Sequence, residues 1–480
     1  MKARRIILLL LVIFVTLGGV LILQVFLEQS QSFCGNSGSL AATISRSDLR
    51  EIQFGGVQKY LLPPGRSPNA ITVADDGSVW FGEQALPGVG HLYLNGTLVE
   101  YQWPFQYAPT SFTFIWGIAF WKGCVWASDQ AGSQLIAVNP NTGLIETVKL
   151  GAESFPYTIT IGPDDSLWFT EVFASKIGRI DDSFRLHEYP TAIAGTPAQI
   201  IFANDSLGYY VDTGNIGFVT PAIYSFNPTD FSPVRVGSDG GFVLRAPTSL
   251  ALVPGGIWVT QHATSTLAYY DTNNHEWSLF PTSTVSYQDV TLPYFVAANG
   301  SLIWFNEHYA NRLAKLDTTH ELLTEYSLSN PPASRIIGID NALTFTIANN
   351  RVWFTELTAN NVGYVDASIQ PNFTISPPTN NPVIKMKPGE NTNLTFTIQG
   401  ESTQPLTVQF ADTENYTAKP QKIIITPNIQ EITTLNGQTN LIVNIKTDKS
   451  LTPGNYTLLI TITNGLISQS TYTQLQITTN

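Results

Sequence analysis

The chain has 480 residues, of which 43% are hydrophobic and only 12% charged, and its formal net charge is -12. That length exceeds one ordinary domain and suits two, with ample core beneath an uncharged polar surface. The acidic balance, with no basic cluster after the first few residues, excludes nucleic acid as a partner. The two cysteines exclude a disulfide-stapled framework and a cysteine-rich zinc site.

At the start of the chain, Lys2, Arg4 and Arg5 precede an uncharged apolar run from Ile6 to Phe26. This is about the length that crosses a bilayer as a helix. The alternative, a cleaved signal peptide, has a shorter apolar region and a small-residue cleavage site; here the run ends Leu23-Gln24-Val25-Phe26-Leu27-Glu28. Bulky Phe33 before Cys34 also argues against lipid attachment. The reading is therefore a cytoplasmic stub and transmembrane signal anchor over 1–28, a single pass through the cell membrane, with the bulk of the chain extracellular. Residues 29–50 follow as a linker. Cys34 and Cys124 are either one disulfide between this stretch and the next domain or two separate thiols. Seven glycosylation sequons, at Asn95, Asn204, Asn299, Asn372, Asn393, Asn415 and Asn455, point to the same compartment.

From about residue 51 to 370 one unit recurs: an apolar strand, an Asp/Asn/Gly turn, then a strand carrying Trp-Phe-x-Glu. It is clearest at Trp80-Phe81-Gly82-Glu83, Trp168-Phe169-Thr170-Glu171, Trp304-Phe305-Asn306-Glu307 and Trp353-Phe354-Thr355-Glu356. Weaker copies centre on Trp126, Tyr209 and Trp258, and successive spacings are 41 to 49 residues, one four-stranded propeller blade each. The seventh unit runs into Pro377-Pro378 without a fourth strand, whereas a spare one, Gln58-Lys59-Tyr60-Leu61-Leu62-Pro63, precedes the first Trp. The N-terminal strand is expected to close the ring and protect its sheet edges.

Beyond a linker at 371–382, Trp, His and Cys vanish and period-two alternation takes over, as in Leu394-x-Phe396-x-Ile398 and Tyr456-x-Leu458-x-Ile460. Residues 383–480 read as an immunoglobulin-like β-sandwich of about seven short strands. The predicted class is all-β: a seven-bladed β-propeller followed by that sandwich, with one N-terminal transmembrane helix.

The repeated Asp-Gly-x-x-Trp-Phe-Thr-Glu pattern, followed by Lys176-Ile177-Gly178-Arg179-Ile180, resembles the streptogramin B (virginiamycin B) lyase-like family of seven-bladed propellers over roughly residues 55 to 366. The resemblance implies elimination at the ester of a cyclic depsipeptide, with magnesium held by glutamates and a histidine base in a Pro-His-Gly-Ile stretch at the start of a blade's first strand. Here the corresponding slots hold Asn69, Trp116, Tyr157, Ala198, Thr248, Tyr294 and Leu343, and none is histidine. The scaffold is implied; the missing histidine argues against the lyase reaction.

Two sets of residues carry the remaining chemistry. Glu83, Asp129, Glu171, Asp212, Gln261, Glu307 and Glu356 end equivalent strands around one face, either as oxygen ligands for Mg²⁺ or Ca²⁺ or as acceptors for backbone hydrogen bonds. Blades five and six alone add a histidine, in Gln261-His262 and Glu307-His308, which makes Glu307, His308 and His262 the candidate catalytic residues and Glu307 and Glu356 the candidate metal ligands. Trp116, Tyr157 and Tyr294 are the candidate ligand-binding floor, or else packing between blades. The leading reading is a non-enzymatic, membrane-anchored surface module binding a ligand, a glycan or a cell-envelope protein. The alternatives are a metal-dependent carbon–oxygen lyase or hydrolase acting on an extracellular lactone, ester or glycan, and a structural envelope component.

Overall fold

The computed structural model describes residues 40–103, 115–214, 219–237, 242–283, 291–330, 342–378, 383–413 and 422–479. The expected anchor, Cys34 and Asn415 lie outside them. Among the described residues no helix is long and apolar enough to cross a membrane.

Each repeat folds as a local antiparallel meander because its punctuation forces tight reversals. In blade two Lys122 and Gly123 both take positive φ, and in blade seven Asn349 and Asn350 do the same. That geometry matches the right-handed twist of the strands it joins. The glycine of Lys-Ile-Gly-Arg-Ile has a packing reason: a Cβ on Gly178 would collide with the ring of Phe169 on the adjacent strand. The Trp and Phe of each strong repeat then face opposite sides of the blade, and Trp168, Phe169, Trp304 and Phe305 are wholly buried between blades.

Seven blades result among the described residues. Their inner strands are Pro68–Val73, Ile115–Trp121, Pro156–Ile161, Pro197–Asn204, Leu250–Val253, Pro293–Asn299 and Phe345–Ala348. The ring closes as expected: Val57–Leu61 pairs antiparallel with Asn361–Asp366 as the fourth strand of blade seven. At this seam the Lys59 ammonium is buried against the Glu356 carboxylate and the carbonyl of Leu328.

Two features depart from the expected linkers. Residues 40–54 are not a spacer: Leu40–Ala41 adds to blade two, Thr43–Asp48 to blade one and Arg50–Phe54 to blade seven. One extended segment thus crosses the outer edges of three consecutive blades, where its backbone finds the partners that a free linker leaves to water. The second departure is at Phe373–Ser376, which already belongs to a sheet of the C-terminal domain.

That domain is a two-sheet sandwich. One sheet contains Phe373–Ser376, Asn391–Ser402, Leu435–Thr447 and Ile423–Pro427. The other contains Leu406–Asp412, Gly454–Thr463 and Ile467–Ile477. Phe396, Ile398, Val443, Leu458, Ile460 and Ile462 fill the space between them. The second sheet does not end at the domain boundary. Leu322–Ser327, the outer strand of blade six, pairs antiparallel with Ile467–Thr471, so blade and sandwich share one continuous sheet. Tyr472 and Leu459 pack with Trp258 and Leu323, and the Tyr472 hydroxyl donates to the carbonyl of Pro281 at 3.0 Å.

Candidate functional site

The slots sit at the mouth of the central channel, on the face where each inner strand begins. Pro68 is opposite Glu83, Pro156 opposite Glu171, Pro197 opposite Asp212 and Pro293 opposite Glu307. The register shifts immediately after each of these prolines. Such bulges re-aim side chains at sheet rims, and here the bulged residue is the slot residue.

In blades two, three, five and six the residue before the acid or amide reaches the slot region of the next blade. Ser128 Oγ donates to the carbonyl of Tyr157 at 2.8 Å, Thr170 Oγ1 to Ala198 at 3.2 Å and Thr260 Oγ1 to Tyr294 at 3.2 Å; the Asn306 amide reaches Ala342. Sequence reading passed over these residues. The available signal was that the variable position of Trp-Phe-x-Glu is so often a small hydroxyl or amide.

The acidic ring turns inward, to the blades. Asp129 accepts from Gly132 N and from Gln134 Nε2 at 2.6 Å, and Asp212 accepts from Thr196 N and Gly214 N. Glu171 accepts from Ser154 Oγ at 2.6 Å, and Glu356 takes Lys59 and Asn311. Gln261 accepts from Arg245 N and donates to Thr266. Glu307 lies 4.0 Å from Arg312, which also faces Glu325 at 3.8 Å. Burial first, and then the Glu325 charge, hold the Glu307 carboxyl well above the usual range. Glu83 is shifted the same way by burial and by Glu100. Glu307 and Glu356 are engaged separately, and among the described residues no group of three or more His, Cys, Asp or Glu is arranged to hold a metal. The residues described do not fit a bound magnesium ion.

The candidate aromatic and histidine residues do come together. Trp116 lies with ring centroids 4.9 Å from Tyr157 and 6.0 Å from Tyr294. The hydroxyls of Tyr157, from blade three, and Tyr294, from blade six, hydrogen-bond across the channel. Tyr294 meets His262 edge-on at 5.0 Å, and His262 stacks on His308 at 4.8 Å with 27° between the planes. His308 therefore points away from the chemistry of Glu307, its chain neighbour. Burial lowers the pKa of His262, and burial plus the His262 ring takes His308 down to about 3, so both imidazoles are neutral near pH 7. Burial pushes the Tyr294 phenol up to about 12. At the blade-one slot Asn69 is 1% exposed, with both amide atoms lacking a partner. A cavity of about 180 Å³ lies beneath, lined by Trp116, Thr158, Gln199, Phe295 and Thr344 among others.

Elsewhere, Cys124 is buried and disulfide-bonded, and its partner lies outside the described residues. The six described sequon asparagines, Asn95, Asn204, Asn299, Asn372, Asn393 and Asn455, are all exposed.

Comparison with known proteins agrees with this scaffold. Residues 57–217 match the virginiamycin B lyase family. The crystal structure of virginiamycin B lyase from Staphylococcus aureus aligns with a TM-score of 0.53 at 20% identity, over 67% of this chain and 99% of that one. A catalytically inactive histidine-to-alanine form of the Staphylococcus aureus enzyme with quinupristin aligns with a TM-score of 0.53 at 21% identity, over 64% of this chain and 98% of that one. A streptogramin B lyase structure gives 0.53 and 21%, over 64% and 96%. No curated protein matches the chain by sequence. The propeller thus resembles this lyase family in fold.

Proposed function

We propose that the chain is a membrane-anchored, extracellular recognition protein whose channel mouth binds a ligand or a cell-envelope protein without turning it over. The observation that carries this reading is the joined aromatic set Trp116, Tyr157, Tyr294, His262 and His308. Its members Trp116, Tyr157 and Tyr294 stand in slots of the kind where the family resemblance implies a histidine base, and His262 and His308 pack beside Tyr294. Aromatic rings present large rigid area at low entropic cost, and neutral imidazoles and phenols add hydrogen bonds without desolvating a charge. Within this reading the sandwich is an immunoglobulin-like bracket, the exposed sequons carry glycans, and Cys34, the only other cysteine, is the partner of Cys124.

A second reading, a metal-dependent lyase or hydrolase of a lactone or ester, rests on the His262–His308 pair, two stacked imidazoles beside the channel, because a neutral imidazole can ligate a metal ion or accept a proton. One experiment separates the two. Full-length chain in detergent is titrated calorimetrically with Mg²⁺, Ca²⁺ and Zn²⁺, and lactone and ester turnover is screened in parallel. The recognition reading expects neither stoichiometric binding nor turnover. Stoichiometric metal binding lost in Glu307→Ala/His308→Ala would move the assignment to the enzyme.

A further inference from the structure

On the face opposite the channel mouth, blades one and two enclose a cleft of about 360 Å³. The internal repeat shows what it lacks. In blade three Arg179 stands opposite Trp168 across the ladder, with its guanidinium 5.3 Å from the indole centroid. It donates to Ser166 Oγ at 3.1 Å and pairs with Asp164. Blade six places Lys315 over Trp304 in the same register, at 5.6 Å. In blade one that register puts His91 opposite Trp80, stacked at 3.8 Å. The carboxylate is kept: Asp76 binds Ser78 as Asp164 binds Ser166. The cation is gone.

Histidine does not replace it. Ser78 Oγ donates its one proton to Asp76 at 2.5 Å, so it accepts from His91 Nε2–H at 2.7 Å. His91 Nδ1 is then a bare acceptor; it has no partner, although the residue is only 6% exposed. Burial lowers the imidazole pKa to about 4, so the ring is neutral at ordinary pH. The walls add Asp75, the Tyr93 ring at 4.1 Å from His91, and Phe120 of blade two, 42% exposed. None of the lining residues is cationic. The Trp80 indole nitrogen also lacks a partner, but so does that of Trp304, so it belongs to the repeat and not to this cleft.

We propose that this cleft binds a guanidinium group supplied from outside the chain, beside the stacked His91 and against the carboxylates that blade three answers with its own Arg179. A guanidinium matches the set through its planar donor fork, its bidentate fit to carboxylate and its affinity for aromatic faces. The group comes from an arginine side chain of a partner or from a small free guanidine.

The test is calorimetry of the full-length chain with Nα-acetyl-arginine amide, and with the isosteric, uncharged citrulline amide. Single-site binding of the arginine probe and none of the citrulline probe is expected. Asp75→Asn and Phe120→Ala, both at exposed positions, should each weaken binding by about threefold. His91→Arg should fill the cleft from within and abolish binding. An arginine flanked by glycines binding more tightly than agmatine identifies a protein source, and the reverse order a small molecule. Equal binding of both amides, binding of neither, or binding unaffected by Asp75→Asn overturns the proposal.

Discussion

The propeller has a bracketed half and an open half. Blades six, seven, one and two have their outer strands paired, blade six by the sandwich and the others by residues 40–54. Among the described residues, the outer strands of blades three, four and five, at Leu186–Pro190, Val234–Val236 and Glu276–Pro281, end their sheets. The channel-mouth cluster joins the halves, since Tyr157 comes from the open side and Tyr294 from the bracketed one. The Tyr157–Tyr294 contact therefore depends on the two halves being held in register. The ring's own closure also lies within the bracketed half, where a circular array of local units is weakest.

The largest effects should come from breaking the bracket. Tyr472→Ala removes a side chain that is 2% exposed, together with its bond to Pro281. Aromatic truncation in a core costs about 3–5 kcal/mol. Urea unfolding should then show the sandwich melting ahead of the propeller, in place of one shared transition. Lys59→Met at the seam leaves the Glu356 carboxylate buried with only Asn311, and the expected loss is about 3 kcal/mol. A loss below about 1 kcal/mol in the same urea titration would show that the seam is held by its strand pairing alone.

These two cases also show what was legible in the sequence. The blades were, because each is a meander of consecutive strands with its turn residues in between. Ring closure was legible too, from a missing strand at one end and a spare at the other. The shared sheet was not: Leu322–Ser327 and Ile467–Thr471 are far apart in the chain, and an alternating strand carries no mark of its partner. At the site, the slots were legible by matching the family's Pro-His-Gly-Ile stretch to each blade's first strand, which singled out Trp116, Tyr157 and Tyr294. The inward turn of Glu307 was hidden, since a carboxylate reads the same whether it faces a channel or Arg312. His91 was passed over because its meaning lies in the contrast with Arg179, which appears only when Trp80 and Trp168 are set in the same register.

A smaller effect, about 2 kcal/mol, is expected from pH in the open half. Burial, opposed by Ser154 and reinforced by Glu188, pushes the Glu171 carboxyl from its ordinary 4.5 up to about 7. The folded chain keeps a proton there that the unfolded chain releases. Its contribution to stability is full below about 4.5 and is lost as pH rises to about 7. Melting temperature should therefore be higher at pH 5 than at pH 8. Glu171→Gln, which keeps an acceptor for Ser154, should flatten the part of that slope due to blade three. A slope unchanged in the variant would assign it to Glu83 and Glu307, whose shifts run the same way in the bracketed half.

The smallest effect should come from a charge on an open edge. Val234 starts the outer strand of blade four and is 63% exposed, in a sheet whose last ladder is with Ile223–Ser225. An unpaired edge bearing an apolar side chain invites another strand, which a lysine discourages. Val234→Lys removes no packing, so folding stability should change by no more than about 0.5 kcal/mol. Self-association at high concentration, followed by light scattering, should fall or stay at zero. A large loss of stability would mean that this edge is covered as blade six is, and the division into two halves would have to be redrawn.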